Sequence, residues 1–219
     1  MKQKPVKKAN DGGRYETKHS CLWGICIFFL LILIDQLTKL FADVYFSAAG
    51  APDYIVIIPD LIGLCIEYND GIAYGMMGEA PTGVKIAVIV GTAVMMTALA
   101  ILYFKIDARR SLLKIALVFV VGGGVGNLID RVYFRVWDFT TVLGVRDMVD
   151  LSRLGFAVCN FADFFITAGA VMLVLSFLFF DKDAFFPLGK YKALAKEAEE
   201  IEEKKQAEKQ AQKAAKKGN

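Results

Sequence analysis

Two stretches of the chain place a carboxylate three residues after an asparagine, each time at the border of an apolar run. GGGVGNLIDR sets Asp130 after Asn127, and VRDMVDLSRLGFAVCNFADFF sets Asp163 after Asn160. The second stretch also holds Asp147 and Asp150, while Asp35 and Lys39 close the first apolar run. An ionisable group at a membrane edge is costly and is a functional candidate by default. Two aspartates that share a site cannot both ionise comfortably. One stays protonated, so the pair offers an acid and a base together. That suits hydrolysis of an amide by activated water. A proton or ion relay, as in a small coupled transporter, is the other use. Each residue also has a simpler role. Asn160 or Asp163 can cap a helix, and Asn127 with Asp130, at i and i+3, can join helices.

Other chemistries are poorly supplied. His19 is the single histidine, and Cys21, Cys26, Cys65 and Cys159 form no CxxC. A structural zinc site or a His-based triad is not expected, and neither a metal nor another cofactor is called for. The net charge of +3 is too small and too unevenly spread to argue for nucleic acid.

The elements that must position these residues are membrane spans. The chain of 219 residues is 56% hydrophobic with a mean hydropathy of +0.45, and its apolar residues fall in blocks at 22–34, 84–104, 112–129 and 164–180. A spanning helix needs about 20 mostly apolar residues. The first block reaches that length by running on through Asp35, Gln36, Thr38 and Lys39 to Phe41. Its basic start and the later SAAGA at 47–51 have some likeness to a cleavable signal peptide, but DQLTK separates the two parts too widely. An α-helical integral membrane protein with four transmembrane helices is expected, with a small extracytoplasmic β-strand segment at 43–83. Within that segment YIVII at 54–58 and LCIEY at 64–68 read as strands.

Charge sets the orientation. Residues 1–20 carry six basic residues, 43–83 none, 105–111 three, and 181–219 ten. The positive-inside rule then places both termini in the cytoplasm and 43–83 outside. The segment 131–161 must also lie outside, and its four arginines hint at a local role. The division expected is a cytoplasmic segment 1–20, a membrane domain 21–182 and a charged cytoplasmic tail 183–219 that is a solvated helix or disordered. Followed through the membrane, Asp35, Lys39, Asn69, Asn127, Asp130, Arg131, Asp147, Asp150, Asn160 and Asp163 all gather at one surface. A transporter would instead string its acids along a path.

The motifs DQLTK (35–39), NDGIAYG (69–75), GNLIDR (126–131), RDMVDL (146–151) and CNFAD (159–163) occur in the order seen in lipoprotein signal peptidases, and over about residues 20–180 the chain resembles that family. The resemblance implies an aspartic endopeptidase of the bacterial plasma membrane. It would act on prolipoproteins whose cysteine carries a diacylglyceryl group, removing the signal peptide just before that cysteine. It implies Asp147 and Asp163 as the catalytic pair. Asn69, Gly71, Asn127, Asp130, Arg131 and Asn160 would bind substrate or support the pair, and Asp35, Lys39 and Asp150 would be structural. Membrane lipids are the other partner, and a monomer is expected. The chain departs from the family in a longer link at 132–145, which holds Asp138 in a decoy VWDF, in Cys159 before Asn160, and in its Lys/Glu tail.

Overall fold

A computed structural model of the chain describes residues 18–70, 80–107, 110–135, 144–181 and 183–217. The element order is α1 (Lys18–Phe46), β1 (Ile55–Ile58), β2 (Ile62–Asn69), α2 (Thr82–Lys105), α3 (Ser111–Tyr133), β3 (Val145–Asp150), α4 (Phe161–Leu178) and α5 (Lys190–Lys217). Four stretches are long and apolar enough to cross a membrane: Cys21–Phe46, Thr82–Lys105, Ser111–Tyr133 and Phe161–Leu178. Their outward faces carry Phe29, Leu33, Val90, Val94 and Val174, all exposed. Backbone groups satisfied within each helix and an apolar exterior are what a hydrocarbon solvent demands.

α3 is the helix the others pack on. Its buried stretch runs from Leu113 through the glycines at 122–124 to Asp130. Without a hydrophobic drive between spans, small residues that let backbones approach supply the packing. Gly123 shows this directly: a Cβ there would stand 2.4 Å from the carbonyl oxygen of Ala162 in α4. Leu31 of α1, Tyr103 of α2 and Leu117 and Val118 of α3 form the apolar core, and Phe119 meets Phe165 edge to face at 6.0 Å. At one end of the bundle Arg110 pairs with Asp181 at 3.4 Å and also with Asp183, joining the turn before α3 to the end of α4.

The strands form one antiparallel sheet in the order β1-β2-β3 at the other end. The strands expected at 54–58 and 64–68 are present, the second extended to Ile62–Asn69. Residues 145–150, where no strand was expected, form a third strand whose Val145 pairs with Asn69 and whose Asp147 pairs with Glu67. Val145, Met148 and Val149 favour such a half-buried pleat once β2 lies alongside. The first helix runs on to Phe46, past the expected end at Phe41. Within the tail, Lys190–Lys217 forms a single helix whose side chains up to residue 207 are exposed or half-buried.

Candidate functional site

The site is built where α4 begins. Asn160 is extended (φ −130°, ψ 178°) and caps the helix, its Oδ1 accepting from Asp163 N at 3.1 Å while Asp163 Oδ2 accepts from Asn160 N at 3.0 Å. This reciprocal box satisfies two free donors of the first turn. The simple capping role is therefore real, yet it leaves two groups unspent. Asp163 Oδ1 accepts from Asn127 Nδ2 at 2.8 Å, and Asn160 Nδ2 donates to Asp147 Oδ1 at 2.5 Å. Asn160 thus holds both aspartates, one by its main chain and one by its side chain.

Asp147 comes from β3 and is 4% exposed. Its second oxygen accepts from Asn69 Nδ2 at 3.2 Å, since Asn69 lies diagonally across the sheet on the same face. Burial first, and the Asp163 charge second, push the Asp147 carboxyl up to about 7, against the hydrogen bonds from Asn69 and Asn160 and the charge of Lys39. At neutral pH the carboxyl of Asp147 is poised between its two forms beside a second carboxyl. Such a pair can give a proton to one atom and take one from another.

Under this pair lies a buried polar network. Lys39 Nζ donates to Asp35 Oδ2 and to Asn127 Oδ1, both at 2.9 Å, and stands 3.8 Å from Asp130. Asp35 Oδ1 accepts from Ala162 N at 2.9 Å, which ties α1 to the first turn of α4. Asp35, Lys39, Asp130 and Asn160 have no exposed surface. A buried charge that lost its partner would be left strongly destabilised, and here each has one. Arg131 Nη1 donates to Asn127 O at 3.4 Å and interacts with the charges of Asp163, Asp147 and Asp130.

Nine of the expected residues converge here: Asp35, Lys39, Asn69, Asn127, Asp130, Arg131, Asp147, Asn160 and Asp163. Asp150 does not join them. It sits at the sheet rim, where Ser152 N at 2.8 Å and the Tyr54 hydroxyl at 2.9 Å donate to it. Ser152 and that hydroxyl hold its carboxyl below the usual carboxylate range. Gly71 and Asp138 lie outside the described residues. Asp130 does not face the pair but binds Arg146, through Nη2 at 2.8 Å and Nε at 3.1 Å.

Two members were missed in the sequence. Gln36 Nε2 donates to Asp35, Gly126 O and Asp130 at 3.0, 3.1 and 3.2 Å. Arg146 stacks on Phe134 with 5.1 Å to the ring centre. The hint for Arg146 was the arginine excess of 131–161; for Gln36 it was only its place inside DQLTK. Two thiols stand near. Burial foremost, then neighbouring acids, push Cys65 up to about 11 and Cys159 up to about 12. Neither is a thiolate at neutral pH, so neither is placed to be a nucleophile. Among the described residues no three His, Cys, Asp or Glu side chains converge as a metal site.

The family model described as signal peptidase (SPase) II matches residues 27–179. A lipoprotein signal peptidase of Sulfurihydrogenibium sp. (strain YO3AOP1) is 34% identical over 161 residues, spanning 71% of this chain and 91% of that protein. One from Chlorobium phaeobacteroides is 36% identical over 155 residues, 70% of this chain and 88% of the relative. Among solved structures, a bacterial membrane enzyme determined by the in meso method at 1.9 Å resolution shares the fold. Its TM-score is 0.56 at 22% identity, over 75% of this chain and 96% of that one.

Proposed function

The chain belongs to the signal peptidase II family, and from that membership we propose that it cleaves signal peptides from prolipoproteins with Asp147 and Asp163 as an aspartic dyad. The observation that carries the mechanism is the double hold of Asn160 on both carboxyls. In the resting pair Asp147 carries the shared proton, because burial disfavours its charged form. Asp163 takes a proton from the attacking water. The water oxygen bonds to the scissile carbonyl carbon while Asp147 protonates the carbonyl oxygen. On collapse Asp163 gives the water-derived proton to the leaving nitrogen as the C–N bond breaks, one hydroxyl of the gem-diol returns its proton to Asp147, and the signal peptide departs with a new C-terminal carboxyl group.

Asn127, Asn160 and Arg131 keep the carboxyls and the scissile bond in register. Asn69 of the sheet and Gly71, two residues on in the sequence, cradle the peptide, and Asp35, Lys39 and Asp130 form the buried support. The substrate cysteine bears a diacylglyceryl group, and the cut falls just before it. Its acyl chains stay in the bilayer among lipid. The enzyme works as a monomer in the bacterial plasma membrane. The basic excess at 1–20, 105–111 and 181–219 supports a topology with both termini in the cytoplasm and the dyad at the outer surface.

The test is a gel-shift assay with purified protein and a prolipoprotein precursor prepared with and without the diacylglyceryl group. Cleavage of the lipidated precursor alone supports the proposal. Equal cleavage of both, or of neither, contradicts it.

A further inference from the structure

Arg146 precedes Asp147 on β3, so their side chains leave opposite faces of the strand. Asp147 turns to Asn160 and Asn69, and Arg146 turns to the helices. Its guanidinium grips both oxygens of Asp130 on α3, with Nη2 on Oδ1 at 2.8 Å and Nε on Oδ2 at 3.1 Å, and its own main-chain N–H adds a third bond to Oδ2 at 3.0 Å. Nη2 also reaches Gln36 Oε1 at 3.3 Å on α1, and Nη1 lies 3.8 Å from Asp43. A planar fork on a carboxylate fixes direction as well as distance. One turn back on the same helix, Asn127 holds Asp163. A single face of α3 therefore fixes one aspartate directly and the other through the residue before it.

We infer that Arg146 is a positioning residue of the reaction, the clamp that sets β3, and with it Asp147, against Asp163. This rests on the dyad reading above. Arg146 does so without touching the reacting atoms. It also balances charge. Asp35 and Asp130 carry two negative charges in the network, and Lys39 and Arg146 carry two positive ones. The charged groups around Asp147 are then Asp163 on α4, Lys39 on α1, Arg131 and the neutralised Asp130 on α3, and Glu67 opposite it on β2. Removing the guanidinium leaves Asp35 and Asp130 to share the single Lys39 charge, and the negative excess beside the dyad favours protonated carboxyls.

The experiment measures kcat, KM and the pH profile on a diacylated precursor for the full-length Arg146→Lys, Arg146→Met and Asp130→Asn/Arg146→Met variants. Asp147→Asn and Asp163→Asn are the references. Displacement of a catalytic group by about 1 Å lowers rate by about 10²-fold. That loss is expected in kcat for Arg146→Met, with KM unchanged and both pH limbs moved to higher pH. Arg146→Lys keeps the charge and loses the fork, so kcat falls while the limbs stay in place. The double variant removes both buried charges, folds where the single one fails, and shows wild-type limbs with low kcat. Wild-type kcat in Arg146→Lys or in the double variant overturns the inference, as does a rise in KM alone. Activity retained in Asp147→Asn strikes at the dyad instead.

Discussion

The side-chain amide of Asn160 donates to Asp147 at 2.5 Å, while its main-chain N–H donates to Asp163 at 3.0 Å. One residue thus joins a strand and a helix that bring a carboxyl each. Its two jobs can be separated. Serine also caps helices well, but its hydroxyl is too short to reach Asp147. Asn160→Ser should keep the thermal stability within about 1 kcal/mol of wild type and lower kcat by about 10²-fold. Asn160→Ala should lose both. Thermal unfolding beside the cleavage assay checks this, and an Asn160→Ser enzyme with full activity would mean that the bond to Asp147 has no catalytic role.

Asp147 stabilises the fold least where it is charged. Its carboxyl sits at about 7 in the folded protein against an ordinary 3.8. Between those values the native form holds a proton that the unfolded chain releases. Stability therefore falls as pH rises through that window and stays reduced above it. Asp147→Asn abolishes this dependence. At pH 8 it should be more stable than wild type by up to about 4 kcal/mol, and at pH 3.5 the gain should vanish. Unfolding curves at both pH values decide it; an equal gain at both would assign the effect to packing.

Lys39 serves two buried carboxylates. Lys39→Met should destabilise the protein by about 3–5 kcal/mol, the usual effect of leaving a buried charge without its partner. Asp35→Asn added to it should recover part of that loss. Unfolding in detergent measures both, and a Lys39→Met protein as stable as wild type would contradict the ionised network.

Much of this site was readable because its parts are local. Asn160 and Asp163 form a cap within one turn, and a cap is written in neighbouring residues. Three of the spans follow from apolar length alone, and the first from letting its short apolar run continue through DQLTK. β3 was not readable, because its partner Asn69 lies far upstream and VRDMVD alone does not show which strand it will pair with. Gln36 and Arg146 were missed for the same reason. Their partners, Gly126 and Asp130, are chosen by how α1 and β3 pack on α3, and no spacing rule carries that. Lys39 and Asp35 lie one helical turn apart and could be paired from sequence, but their burial to zero exposure comes from tertiary packing.

Close packing of α3 on α4 positions the first turn of α4. Gly123→Ala would set a Cβ 2.4 Å from the Ala162 carbonyl, two residues from Asn160, and backbone cannot give way there cheaply. A loss of about 1–3 kcal/mol is expected, with reduced cleavage by the folded fraction. Gly91→Ala in α2 meets nothing within 4 Å and should be neutral or slightly stabilising. Equal behaviour of the two variants in unfolding and cleavage would remove Gly123 from the positioning of α4.

The central claim is that Asp147 and Asp163 together perform the hydrolysis. Its most direct test is the initial rate of signal-peptide cleavage from a diacylated prolipoprotein by Asp147→Asn and Asp163→Asn, each shown to be folded and membrane-inserted, beside Asp150→Asn. A dyad predicts a loss of at least about 10³-fold in each of the first two, within the range of general acid–base contributions, and a rate near wild type for Asp150→Asn. Cleavage at the wild-type rate by Asp147→Asn would contradict it.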